Sequence, residues 1–139
     1  MSSNRGIRAA DTPAVNPKSA ELHRHARLLL SDAVALGERA TPGQFLLYRH
    51  AIELALKSFL HQRGDSLKNL RLEFACDLEG LLRRARERGL AAESVDARLI
   101  SELGRYTELA MVRCNFSAAG PFLADICRVA PSLVEACRR

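Results

Sequence analysis

The chain has 139 residues, 47% hydrophobic and 27% charged, the size and balance of one globular domain with a single core. Aromatic residues reach only 5%, with no Trp, so the core has to come from Leu, Ala, Val and Ile, which suits helices better than sheets. A formal charge of +5 and a pI of about 9.4 favour polyanions through long-range steering, but fall short of the density of a dedicated nucleic-acid binder.

Residues 1–17 are small and polar, carry two prolines and lack a sustained apolar period, so they read as a flexible arm before a single helical-bundle domain over 18–139. From Lys18, the residues Ala20, Leu22, Ala26, Leu29, Leu30, Ala33 and Leu36 recur at helical spacing up to Gly37. After the Thr-Pro-Gly at 41–43, a second helix is apolar over much of its circumference: Phe45, Tyr48, Ile52, Ala55, Leu56 and Phe59 form one face, widened by Leu46, Leu47, Ala51 and Leu54. Its narrow polar stripe is Arg49, Glu53 and Lys57, spaced for pairing along the helix. Gly64 closes it. The stretch 66–74 reads as a connector with a helical turn.

Asp77 is placed to cap the next helix, whose buried side is Leu78, Leu81, Leu82 and Ala85. Arg83, Arg84, Arg86 and Arg88 crowd its last turns, where the helix dipole favours cations, and Gly89-Leu90 fits a left-handed stop. A fourth helix is expected from about Ser94 to Cys114, carrying Val95, Leu99, Leu103, Tyr106 and Ala110. Pro121 fits a first helical position, and Phe122, Leu123, Ile126 and Val129 continue a fifth helix until Pro131, expected to kink or divide it. Ser132 and Glu135 have the spacing for a short terminal restart. The fold class is therefore all-α, a four- to five-helix up-and-down bundle.

Cys76, Cys114, Cys127 and Cys137 form no C-x-x-C and have no short histidine spacing, so buried free thiols are expected rather than zinc or a redox pair. His23 and His25 point to different sides of one helix and His50 and His61 lie three turns apart on the next, so no metal is expected. No cofactor is signalled either. No signal sequence opens the chain and no apolar run approaches the ~18 residues needed to cross a bilayer, so the expected setting is cytoplasmic, with no membrane partner.

Two constellations could bind. The arginines at 83, 84, 86 and 88 could meet phosphates, although successive residues on a helix diverge and dipole complementarity explains the run equally well. Tyr48, Glu53 and Lys57 could join Arg105, Tyr106 and Arg113 across two packed helices, with Arg and Lys binding an anion that Glu orients. The alternative there is a surface ion-pair stripe beside a core tyrosine.

With its helices in this order, the chain resembles the HEPN domain family, small helical bundles of bacterial toxin–antitoxin and defence systems and of some larger eukaryotic proteins. The resemblance rests on "YRHAIELALKSFLHQRG", on "CDLEGLLRRARERGL" and on the late Tyr106, Leu109 and Arg113, and covers about residues 18–135. It implies a helical bundle that usually dimerises. Ribonucleases of the family place an Arg, and four to six residues beyond it a His, at the dimer cleft. Only Arg113 matches. Cys114 and Asn115 suit the polar residues that often follow the arginine, but Ala118, Ala119 and Gly120 stand where the histidine belongs, and neither Ala nor Gly can move a proton. Cys76 also replaces the histidine of a frequent His-Asp-Leu.

The resulting expectation is a non-catalytic, HEPN-like binding or regulatory module, a homodimer through the surplus apolar surface of the second helix. RNA, a nucleotide or an acidic partner would meet Arg113, Arg105 and the 83–88 cluster, with Lys57 outermost. Two other readings differ in class: a metal-independent ribonuclease toxin using Arg113 and Asn115, and an accessory subunit of a small nucleotidyltransferase.

Overall fold

A computed structural model describes residues 16–75, 77–92, 94–112 and 123–138. Among them are six helices and no strand: α1 (Pro17–Ala35), α2 (Pro42–Gln62), α3 (Leu67–Phe74), α4 (Leu78–Glu87), α5 (Ala97–Val112) and α6 (Leu123–Ala136). The expected all-α class is what the chain adopts. The count exceeds the four to five expected, because the supposed connector at 66–74 is a helix of its own. Its start is set by Ser66, whose hydroxyl accepts from the Asn69 N–H at 3.0 Å, and it persists because Leu70 and Phe74, one turn apart, both reach the core.

Helix ends follow local chemistry. Asn16 caps α1 by accepting from the backbone N–H groups of Lys18 and Ser19. Thr41 and Asp77 do the same for α2 and α4 through Gln44 and Gly80, satisfying donors that the first turn leaves without partners. Gly64 and Gly89 stop α2 and α4 at φ of 107° and 99°, values that side chains with a Cβ resist. Each is followed by a bond back into the last turn, Asp65 N–H to Leu60 C=O and Leu90 N–H to Ala85 C=O, the pattern of a Schellman stop.

Pro131 does not divide the last helix. α6 runs through it to Ala136, since Leu133 and Val134 beyond the proline are as buried as Ile126 and Val129 before it, and their burial outweighs the lost backbone bond. α5 begins at Ala97 rather than Ser94. Residues 94–96 form a turn in which the Asp96 carboxylate accepts from the Arg98 N–H at 2.9 Å.

The core centres on α2, which packs against every other helix. Tyr48, Ala51, Ile52, Ala55, Leu56 and Leu60 are fully buried, each large apolar side chain contributing about 1.5–3 kcal/mol. Most of the apolar surface of α2 is covered within the monomer: the exposed large hydrophobic residues among those described are Leu28, Val34, Leu72 and Leu109, none of them on α2, while Leu46, Leu47 and Leu54 on its widened face stay half-buried. α1 packs mainly on α2 through Ala26 and Ala33, both fully buried. A polar lock fixes the turn between these two helices. The buried Gln44 amide donates to the carbonyls of Ala33 and Gly37 and accepts from the Ala40 N–H.

Candidate functional site

On α2 the spacing of four residues puts Arg49, Glu53 and Lys57 on one side of the helix. Glu53 joins the two cations: its Oε1 lies 3.6 Å from Arg49 Nε and its Oε2 2.8 Å from Lys57 Nζ. The sequence alone reads this as an exposed stripe. In the fold Arg49 is only 3% exposed, with Glu53 and Lys57 half-buried, so the ion pairs act at reduced dielectric, where they are stronger and where stripping either partner is more damaging. Two cations share one carboxylate here. Both oxygens of Glu53 face positive charge, an arrangement that orients donors rather than one that moves protons.

The anticipated six-residue patch comes together only in part. Tyr106 is half-buried and packs edge-on against Phe45, ring centroids 5.1 Å apart at 73°, which brings α5 to the same end of α2 as Arg49, one turn beyond Phe45. Tyr48 belongs to the core. Its hydroxyl hydrogen-bonds the Cys127 sulfur at 3.3 Å, and burial, followed by that bond, pushes its pKa upward. Arg105 lies on another side of α5, in a cleft of about 390 Å³ against α4, where Asp77, Glu79 and Glu108 share the lining. An anion approaching Arg105 would meet three carboxylates. Arg113 and Asn115 lie outside the described residues, as do Ala118, Ala119 and Gly120.

Three of the four clustered arginines are engaged inside the monomer. Arg84 pairs with Glu73 and, at 3.5 Å, with Asp65, and its guanidinium lies 5.1 Å from the centre of the Phe74 ring. Arg88 meets the same Asp65 oxygen at 3.1 Å. Arg86 turns inward and donates to the carbonyls of Ala92 and Val95, holding the α4–α5 loop. Arg83 is exposed. The run therefore ties α4 to the end of α2, to α3 and to its own following loop, and Asp65, which no sequence motif marks, is the acceptor that organises it.

The histidines do not converge. His23 Nε2 lies 2.8 Å from the Val134 carbonyl and His61 Nδ1 2.9 Å from that of Asp65, while His25 and His50 are exposed. Among the described residues no group of three or more His, Cys, Asp or Glu side chains could hold a metal. Cys127 and Cys137 are free thiols, half-buried and buried; Cys76 and Cys114 fall outside the described residues. No described helix is long and apolar enough to cross a membrane.

Comparison with known proteins gave no matching family model, no matching curated protein and no matching solved structure.

Proposed function

We propose that this chain is a non-catalytic, HEPN-like binding or regulatory module, a homodimer of the kind used in toxin–antitoxin and defence systems, which holds an anionic ligand rather than transforming it. The observation that carries the reading is on α2: the half-buried Lys57 ammonium is held at 2.8 Å by Glu53, whose other carboxylate oxygen is turned to the buried Arg49, at one side of the central helix. Such an arrangement supplies one oriented cation at the surface over a fixed ion-pair base, which suits holding phosphate or carboxylate. Arg113, with Ala118, Ala119 and Gly120 following it, adds a cation in sequence but no proton-transfer partner. RNA, a nucleotide and the acidic surface of a nucleotidyltransferase all present the required anion.

The test is a gel time course of labelled total RNA in EDTA, using wild-type protein and Arg113→Ala, on material whose mass by light scattering is that of a dimer. The expected result is intact RNA in both lanes. Cleavage by the wild type and none by the variant replaces this reading with a metal-independent ribonuclease built on Arg113 and Asn115, and a monomeric mass removes the homodimer.

A further inference from the structure

The sequence directs attention to the arginines at 83–88 as phosphate ligands, yet Arg84, Arg86 and Arg88 are engaged within the monomer. A different pair is left available. Arg24 and Arg27 lie one turn apart on α1, both exposed, and among the described residues neither makes a hydrogen bond or ion pair. They line an open groove of about 730 Å³ together with Pro17, Lys18, Ala20 and Glu21.

The carboxylates that feel these two arginines are already taken. Glu21 is bound by Lys18 at 3.2 Å and Glu135, at the end of α6, by Arg138 at 3.0 Å. Each is held below the usual carboxylate range first by that hydrogen-bonding partner, with Arg24 acting on Glu21 and Arg27 on Glu135 only as lesser influences. The positive charge of the two guanidiniums is therefore left largely uncompensated on a surface open to solvent.

We propose that this face of α1 is a docking surface for the phosphodiester backbone of a single-stranded nucleic acid, with Arg24 and Arg27 each taking a separate phosphate. The inference deepens the anion-binding reading above and rests on it for the class of ligand. Charge complementarity selects the occupant: two unpaired guanidinium forks, side by side along a groove, fit a chain of regularly spaced anions better than one compact anion. No aromatic residue is among the described residues that line the groove, so recognition runs through the backbone and not through base stacking. Binding should be indifferent to base sequence.

Fluorescence anisotropy with a labelled oligouridylate of about 20 nucleotides, and with the matching oligothymidylate, from about 50 to 200 mM salt, tests this. Both probes are expected to bind the wild type. The Arg24→Gln, Arg27→Gln double variant should bind about tenfold more weakly at low salt and lose about 1.4 from the slope of log K against log salt, the share of two phosphate contacts on a single strand. Arg24→Lys with Arg27→Lys should recover most of the slope, because charge is kept while fork geometry is lost. Both positions are exposed on α1, so the variants should keep the wild-type circular dichroism.

Arg113→Ala, measured in parallel, separates the two readings. Loss of binding with Arg113→Ala alone, with the α1 double variant unchanged, overturns the α1 surface and leaves the anion-binding module standing. Failure of the wild type to bind either probe also overturns it. Equal competition by poly-glutamate through the same two arginines does so as well, since the surface would then be selecting bare negative charge.

Discussion

A single side chain, Gln44, decides how α1 meets α2. It is fully buried, and its amide joins three backbone groups of the intervening turn, the Ala33 and Gly37 carbonyls and the Ala40 N–H. Gly37 at φ 72° and Ala40 at φ 54° show how tightly that turn is wound, and three of its polar groups have this amide as partner. Gln44→Leu keeps the volume and removes every one of these bonds; the Ala33 carbonyl keeps the Leu36 N–H at 3.2 Å while the Gly37 carbonyl and Ala40 N–H lose this partner in an exposed turn, so it should cost about 1–3 kcal/mol. Urea unfolding measures it. A loss below about 1 kcal/mol would mean that water replaces the amide. In the sequence Gln44 reads only as the first polar residue after a Thr-Pro-Gly turn. Its three acceptors and donors belong to residues 33–40, and only the folded turn brings them within its reach.

Elements show the same division. α2 and α4 are legible in the sequence because their signals are local: a Thr-Pro-Gly break before the one, an Asp77 cap before the other, a dense apolar period, and a glycine stop. α3 does not stand out as a helix in the sequence because eight residues give too short a period to outweigh the look of a connector, and what stabilises it is tertiary: Leu70 and Phe74 in the core and Arg84 across Glu73. α6 departs from its sequence signal in the other direction. Pro131 is exposed and stands inside the helix, where it removes a backbone donor that the burial of Leu133 and Val134 offsets. Pro131→Ala should therefore raise stability by about 1–3 kcal/mol, seen as a higher calorimetric Tm. An unchanged or lower Tm would mean that a bend at the proline is needed for packing.

At the scale of the whole molecule, α2 touches all five other helices, so a perturbation anywhere in the core is felt as global stability. Cys137, 2% exposed, offers a way to read this. Burial pushes its thiol from an ordinary 9.0 up to about 12, against a smaller opposing pull from the Arg63 cation. The fold accommodates the neutral thiol, so its contribution is complete below about pH 9. Above that the unfolded chain ionises while the native thiol stays protonated, and the contribution is lost as the pH rises towards 12. The urea midpoint should thus fall more steeply for the wild type than for Cys137→Ala between about pH 9 and 11. Parallel declines would show that the thiol ionises without unfolding.

By itself the sequence determined the helical class, the Asp77 cap, the glycine stops at 64 and 89, and the apolar faces, because each depends on residues within a turn or two of one another. It also singled out Glu53 and Lys57 as a pair, since i and i+4 spacing on a helix is enough for that. Only the tertiary structure decided which charges are available. Burial of Arg49, capture of Arg84 and Arg88 by Asp65, the inward turn of Arg86 and the placing of Arg105 among carboxylates all depend on partners 6 to 23 or more positions away. Local spacing carries no information about those distances, so an arginine run that looks like a ligand site becomes largely a set of internal ties, while Arg24 and Arg27 on the outward side of α1 stay exposed.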